Sequence, residues 1–255
     1  VHLVALLLGM ELDHALRGLI LILGALLVPL VHRRLQPIVA AMLPVLGFVQ
    51  LLMLDPGVSH QLTLFDYRLT VVRVDRLSLI FGYIFYLAAF LSAFYALHVK
   101  DTVQHVAAMI YVGSAVGAVF AGDLITLFVY WEITAISSVF LVWTSRTEAA
   151  YRSGFRYLVI QVASGVLLLA GVVMHAAGTG SIAFGQLIGD DGLLSTASPG
   201  VVLIFFAFGI KSAFPFLHNW LQDAYPNGTV TGTVFLSAFT TKLAIYALAR
   251  GFPGT

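Results

Sequence analysis

Three ionisable residues lie inside long apolar segments of the sequence. Glu132 falls in the segment 124–143, Lys211 in 201–221 and Lys242 in 230–249. A charged side chain at the centre of a bilayer costs about 2.5–3.5 kcal/mol, so each of these residues needs a reason to be there. Acids and amines shielded from water can change protonation state near neutral pH, which suits a proton or ion pathway. A structural ion pair is the alternative, and Lys242 could instead extend its ammonium toward the membrane surface.

A proline follows Lys211 within the same apolar segment. Pro215 cannot donate a hydrogen bond to the carbonyl of Lys211 and its ring clashes with that carbonyl, so we expect the helix to kink or unwind there. Freed carbonyls at membrane depth are tolerated only inside protein or beside water, and broken helices with an ion-handling residue are typical of transporter sites. His218 would share the face of Lys211 if the helix continued. A core or interface histidine with satisfied hydrogen bonds is the alternative.

The composition requires lipid around most of the chain. Of its 255 residues 60% are hydrophobic and 10% are charged, and the mean hydropathy is +0.98, whereas soluble domains are about 25% charged. A helix of about 20 apolar residues crosses a bilayer. The sequence therefore predicts an all-α integral membrane protein, with one transmembrane domain over 1–255 and a broken seventh helix. The eight expected spans are 16–31, 37–54, 77–97, 103–121, 124–143, 157–174, 201–221 and 230–249.

Two long connections separate these spans. Residues 61–74 alternate between apolar and polar types, which predicts a short hairpin, and residues 178–200 are rich in Gly, Ser and Asp. With the hairpin on the periplasmic side, six Lys or Arg residues lie in the cytoplasm and five outside, a small excess in the direction of the positive-inside rule. We therefore expect a multi-pass protein of the inner, cytoplasmic membrane.

Several function classes are excluded by what the sequence lacks. It has no cysteine, and therefore no disulfide, thiolate metal site or iron–sulfur cluster of its own. It has no G-x-S-x-G motif, no phosphate-binding loop and no His pair at metal-ligand spacing. The net charge of +1 gives no sign of a nucleic-acid surface. We therefore expect no cofactor, no metal site, no nucleic-acid partner and no hydrolytic residues.

Several stretches of the sequence together resemble one known family. They are VDRLS at 74–78, the Trp131–Glu132 pair, FGIKSAFPFLHNWLQDA at 208–224 and KLAIYALAR at 242–250. Over roughly 74–250 the chain is similar to the antiporter-like membrane subunits shared by Mrp-type cation/proton antiporters, respiratory complex I and membrane-bound hydrogenases. The continuation AYP at 224–226 and the surroundings of Lys242 are most similar to the D-type Mrp subunit.

The resemblance implies a role for each charged residue. Glu132 would be the glutamate of the fifth helix and Lys211 its partner at the break in the seventh. His218 would be a connecting histidine, and Lys242 the lysine of the eighth helix that passes protons toward the centre. The implied function is that of a proton-translocating subunit of a multi-subunit Na⁺/H⁺ antiporter, not an enzyme. It would act on protons and monovalent cations in the lipid bilayer, together with other membrane subunits.

The implied fold is the N-terminal part of a fourteen-helix, inverted-repeat, antiporter-like fold. Because the chain stops after the eighth expected span, we expect a fragment, a split gene product or a short family member. TVTGT at 229–233 replaces a proline-rich stretch, and Gln222 stands where a proline is common, so the geometry of that loop is left open.

Other functions stay open at this point. One is a proton-pumping subunit of a complex I-like NADH:quinone oxidoreductase or a membrane-bound hydrogenase, driven by electron transfer in partner subunits. Another is a non-conducting membrane scaffold, and a third is a subunit of an inorganic-carbon uptake complex.

Overall fold

The computed structural model describes residues 17–54, 56–57, 59–64, 67–188 and 197–253. Within these ranges the chain forms helices and one two-stranded hairpin. Two short 3₁₀ turns, at Val28–Leu30 and Ala96–His98, extend the helices before them. In chain order the elements are α1 (Arg17–Leu27), α2 (Gln36–Leu52), β1 (Ser59–Leu64), β2 (Tyr67–Arg73), α3 (Arg76–Tyr95), α4 (Thr102–Phe120), α5 (Leu124–Trp143), α6 (Glu148–Thr179), α7 (Pro199–Lys211), α8 (Asn219–Asn227) and α9 (Val230–Gly251).

Five of these helices are long and apolar enough to cross a membrane: α3 with the turn after it, α4, α5, α6 and α9. α1, α2 and α7 are apolar but shorter, with 11, 17 and 13 residues described. At ~1.5 Å per residue, α7 spans only about 20 Å of a ~30 Å hydrocarbon core. The expected number of eight membrane spans therefore stays a prediction, and five helices in the described part of the chain meet the length.

Three of the expected element bounds need comment. The sixth helix, expected over 157–174, is longer as α6 because Thr147 caps its N-terminus and Gly180, in the left-handed conformation, ends it. The seventh, expected over 201–221, is wrong in length: it ends at Lys211, and a separate helix, α8, begins at Asn219. The start of the first span at residue 16 and residues 65–66 of the hairpin lie outside the described residues. The strands pair antiparallel from Ser59 with Arg73 to Leu64 with Tyr67.

Polar side chains decide where the helices begin. An oxygen of each capping residue accepts a hydrogen bond from a backbone N–H of the first turn, which satisfies a donor that the helix leaves unpaired. Such caps start α3, α4, α5, α6, α7 and α9, and the residues are Asp75, Asp101, Asp123, Thr147, Ser198 and Thr229.

The core lies between α4, α5, α6, α7 and α9. Among the five long helices, α4 is the most enclosed, with 83% of its apolar segment buried. It packs against α5, α1, α9, α3 and α2. α6 packs between α5 and α7 and also contacts α8. The outer faces carry exposed large apolar side chains such as Ile84, Leu91, Phe155 and Val166. Such faces suit contact with lipid.

A half-buried ion pair joins α9 to the residue that caps α3. Arg250 on α9 donates to both carboxylate oxygens of Asp75 at 2.7 Å and, through Nε, to the hydroxyl of Tyr246 at 2.7 Å. Asp75 also caps α3, because it and Ser78 exchange backbone-to-side-chain hydrogen bonds. The Tyr246 hydroxyl donates in turn to the carbonyl of Val119 at the end of α4. We call Asp75, Tyr246 and Arg250 the terminal clamp.

Candidate functional site

Hydrogen bonds fix α5, α6 and α7 to one another around a buried tryptophan. The indole Nε1 of Trp131 donates to Oγ of Ser164 at 3.1 Å, and that hydroxyl donates to the carbonyl of Ala207 at 2.7 Å. The ring of Trp131 also contacts Phe208, with 5.2 Å between ring centroids. Because the three helices are linked at one level, the residues beside Trp131 and after Ala207 are held close together.

Lys211 is the last residue of α7 and is completely buried. Its Nζ donates to the backbone carbonyl of Trp131 at 3.0 Å and lies 4.3 Å from the centroid of that tryptophan's ring. A cation is favoured at a helix C-terminus and over an aromatic face, and both effects offset part of the cost of burial. Of the three N–H donors of the ammonium, one has a protein partner among the described residues.

The chain turns sharply after Lys211. The N–H of Ser212 still bonds to the carbonyl of Phe208, but Ala213 and Phe216 have positive φ angles of 61° and 70°, which interrupt the helix on both sides of Pro215. Positive φ is unusual for residues with a side chain and marks local strain. Pro215 itself is exposed. The helix break predicted beside Lys211 is therefore a non-helical connection between two separate helices, α7 and α8.

Two carbonyls beside the break accept hydrogen bonds from groups outside the regular helix. The indole of Trp220, on α8, donates to the carbonyl of Ile210 at 3.0 Å, and the N–H of Phe214 donates to the carbonyl of Gly209 at 3.0 Å. Irregular backbone at membrane depth requires such partners. Trp220 thus holds the end of α7 in place, a role that the sequence did not reveal because it depends on a contact across the break.

Glu132 projects toward α6 and is half-buried. A Cβ atom added to Gly165 would overlap Oε1 of Glu132, so the carboxylate rests on the backbone of α6. That oxygen is buried and has no hydrogen-bond partner in the described protein. No ion pair within 4 Å joins it to Lys211 or to another described cation. The two residues lie on neighbouring helices in the same region but are not in contact.

The other two expected pathway residues make no described hydrogen bond to Lys211. His218 is half-buried at the start of α8 and makes no side-chain capping bond; it does not share a helical face with Lys211, because the helix does not continue. Lys242 is near the middle of α9, exposed, and its Nζ donates to the carbonyl of Ser237 at 2.7 Å. The structure therefore brings Glu132 and Lys211 into one region, and it shows no described contact between that pair and His218 or Lys242.

Buried hydroxyl groups continue from this region toward α9. Oγ of Ser138 and the hydroxyl of Tyr157 are 2.7 Å apart, and the hydroxyl of Tyr111 lies 2.5 Å from Oγ1 of Thr240. Thr240 also interacts with Tyr157. We call these four residues the hydroxyl cluster. The sequence alone did not predict this cluster, since its members come from four different helices.

Comparisons with known proteins connect the chain to one family of membrane proteins. The profile of the family described as "NADH:quinone oxidoreductase/Mrp antiporter, TM" matches residues 121–254, just over half of the chain. The A-type subunit of a Na⁺/H⁺ antiporter of Alkalihalophilus pseudofirmus is 30% identical over 194 residues, which are 71% of this chain and 24% of that protein. The D-type subunit of a Na⁺/H⁺ antiporter of Bacillus subtilis is 29% identical over 139 residues, 53% of this chain and 28% of that protein.

The fold is also similar to a solved structure. A chain in the structure of the Mrp complex from Dietzia sp. DQ12-45-1b matches with a TM-score of 0.80 and 23% sequence identity, covering 95% of this chain and 50% of that chain. This chain thus spans about a quarter of the two curated relatives and half of the structural neighbour. The A-type and D-type relatives match at almost equal identity, so the similarity does not favour the D-type over the A-type.

Proposed function

Because this chain belongs to the NADH:quinone oxidoreductase/Mrp antiporter membrane family, we propose that it is a proton-translocating subunit of a multi-subunit Na⁺/H⁺ antiporter. It is then an ion-transport subunit rather than an enzyme and works beside other membrane subunits in the cytoplasmic membrane. The relatives that support this are themselves antiporter subunits, one A-type and one D-type.

The observation that carries the proposal is the burial of Lys211 without a carboxylate in contact. Its ammonium is fully buried and hydrogen-bonded to a neutral carbonyl, whereas a structural lysine at this depth would be paired. Glu132 is close enough to interact with it electrostatically. Movement of that carboxylate toward Lys211 favours the ammonium form, and movement away favours release of the proton. One mobile acid can therefore control proton uptake and release at one lysine.

His218 and Lys242 complete the proposed pathway at its far side. Lys242 lies two residues beyond Thr240, the member of the hydroxyl cluster on α9. His218 immediately precedes α8, after the turn that contains Pro215. We assign them the onward transfer of protons from Lys211, and assign to Pro215 the interruption that leaves Lys211 at a helix end.

Everted membrane vesicles from cells carrying the complete gene cluster test the proposal. A proton gradient is built by an independent pump, Na⁺ or K⁺ is added, and collapse of the gradient is compared for wild type, Lys211→Ala and Lys100→Ala. Lys100 is an exposed lysine between α3 and α4 and serves as the matched control. We expect cation-dependent collapse in wild type and Lys100→Ala, and a loss of about 100-fold in Lys211→Ala with the complex still assembled.

Two other results would redirect the assignment. Full transport by assembled Lys211→Ala would contradict a proton pathway and favour the non-conducting scaffold. The family also includes NADH:quinone oxidoreductase subunits, so a gradient built by a reduced electron donor, insensitive to added cation and abolished by Lys211→Ala, would favour a redox-driven pump. Co-purification of the subunits, followed by mass spectrometry, would identify the complex in either case.

A further inference from the structure

Three glutamines are buried in the described part of the chain, and one differs from the other two. The amide of Gln36 donates to the carbonyl of Val31 and accepts from Thr102. The amide of Gln104 bonds to Thr231 through Nε2 and accepts from Thr229 through Oε1.

Gln161, on α6, is fully buried, and neither its Nε2 nor its Oε1 has a hydrogen-bond partner among the residues that the structure describes. Leaving a buried amide unpaired costs on the order of 1–3 kcal/mol. Buried polar groups without a protein partner usually bind an ordered water, which makes about three hydrogen bonds. A glutamine amide offers a water both a donor and an acceptor.

The register of α5 against α6 places Gln161 between two hydrogen-bonded levels. Trp131 meets Ser164 at one level, and Ser138 meets Tyr157 at the other. Gln161 lies about one helical turn from both Ser164 and Tyr157, and it shares their buried face of α6. It therefore stands between the tryptophan that holds Lys211 and the hydroxyl cluster.

The register of α6 against α7 puts Lys211 at the same level. Gly171 packs against Ile204, and Ser164 bonds to the carbonyl of Ala207. The two helices run antiparallel, so residues earlier in α6 lie opposite residues later in α7. One turn before Ser164 on α6 is Gln161, and it therefore lies opposite the end of α7, where Lys211 is found. Two independent helix pairs thus place the unpaired amide at the level of the buried ammonium.

We propose that Gln161 holds a water molecule that links Lys211 to the hydroxyl cluster. The inference rests on the proposed function and adds a positioning residue to it. Nε2 donates to the water and Oε1 accepts from it, which orients the water between Nζ of Lys211 and the hydroxyl of Tyr157. When Nζ releases a proton to the water, the water passes a different proton to the hydroxyl oxygen of Tyr157. Tyr157 in turn passes its own hydroxyl proton to Oγ1 of Thr240, and Thr240 releases its proton toward Lys242, so the water and both hydroxyl groups keep their number of protons. The cluster then leads to Thr240 on α9.

The test compares Gln161→Leu with Gln104→Leu in the complete complex, assayed in everted vesicles as above. Both changes replace a buried amide by an apolar group of similar size. We expect Gln161→Leu to lower cation-dependent proton transport per assembled complex about tenfold, without lowering the thermal stability of the purified complex. Gln104→Leu should lower the thermal stability of the complex and leave transport per assembled complex unchanged, since it breaks satisfied hydrogen bonds outside the pathway.

A conservative variant separates positioning from packing. Gln161→Asn keeps the amide and leaves room for water, so it should recover at least about a third of wild-type transport, a recovery that a purely structural role does not predict. Normal transport by Gln161→Leu would overturn the inference, and so would failure of both Gln161 variants to assemble. If Lys211→Ala also transports normally, the proposed function fails with it; if Lys211→Ala is inactive, only the role of Gln161 is lost.

Discussion

Arg250 and Lys211 are both buried cations near the ends of helices in one bundle, but the protein surrounds them differently. In the terminal clamp, all three guanidinium nitrogens of Arg250 donate to oxygens at 2.7 Å, and two of those oxygens belong to the carboxylate of Asp75. Lys211 donates to one backbone carbonyl, and the carboxylate of Glu132 has a buried oxygen with no partner.

This difference is the basis for assigning a structural role to Arg250 and proposing a pathway role for Lys211. A cation that is held by a bidentate carboxylate is stabilised in its charged form and in one geometry. A cation held by a neutral carbonyl and an aromatic ring keeps the freedom to lose its proton, and an unpaired carboxylate nearby keeps the freedom to move. The roles proposed for the two cations therefore depend on their hydrogen-bond partners and not on their burial alone.

Gly165→Ala is the change that most directly alters the Lys211 side of this comparison. The added methyl would overlap Oε1 of Glu132, so the carboxylate must leave its position on α6, and we expect transport in everted vesicles to fall about tenfold. Gly178→Ala is the matched control, because it lies on the same helix with no atom within 4 Å of the added methyl. Equal transport by the two variants would show that the position of Glu132 does not matter.

Arg250→Ala tests the clamp side. It removes three hydrogen bonds made by Arg250, two of them to Asp75, which is itself 37% exposed in its side chain. Because solvent screens the pair partly, we expect a loss of about 2 kcal/mol of stability, read as a lower thermal denaturation midpoint of the purified complex. Transport per assembled complex should be unchanged. A loss of transport at wild-type stability would instead indicate that Arg250 belongs to the proton pathway. The variant Arg250→Lys should restore only part of the stability, since lysine cannot form a bidentate hydrogen bond to a carboxylate.

The smallest effect concerns Asp123, a buried carboxylate one residue before the spanning helix α5. Burial raises its pKa above the ordinary value, although hydrogen bonds from Thr126 oppose the shift. The folded state thus binds the proton more tightly than the unfolded chain, so this contribution to stability is full below about pH 4 and is lost as the pH rises through the raised pKa.

Asp123→Asn keeps a good helix cap and cannot ionise. The denaturation midpoint of the variant should therefore decline less than that of wild type between about pH 4 and pH 7, by a degree or so. A steeper decline in the variant would mean that the carboxylate of Asp123 stabilises the fold in its charged form.

Much of the local structure could be predicted from the sequence because its causes are local. Proline at 215 lacks a donor whatever surrounds it, and the alternation in 61–74 corresponds to the paired strands β1 and β2. The path of the chain after Pro215 could not be predicted, because α8 is held by the bond from Trp220 to Ile210, which needs the folded arrangement.

The candidate site could be predicted only in part, because some of its contacts join residues that are distant in the sequence. The types and positions of Glu132 and Lys211 mark them in any apolar segment, but the hydrogen-bond acceptor for Lys211 is a backbone carbonyl 80 residues away, which carries no signal in the sequence. Gln161 is visible in the sequence as a polar residue within the apolar segment of the sixth expected span. What set it apart from Gln104 was its lack of partners, and only the structure shows that.

The terminal clamp also has a consequence for biogenesis. Asp75 and Arg250 are 175 residues apart in the chain, so during synthesis Asp75 leaves the ribosome long before its partner exists. Until then the carboxylate has local contacts at the start of α3, including the capping bonds with Ser78 and an ion pair with Arg73 at 3.4 Å. Contacts of such long sequence separation form late. The ion pair between Asp75 and Arg250 can therefore form only after α9 has packed beside α3, which makes it a late step in the folding of this helix bundle.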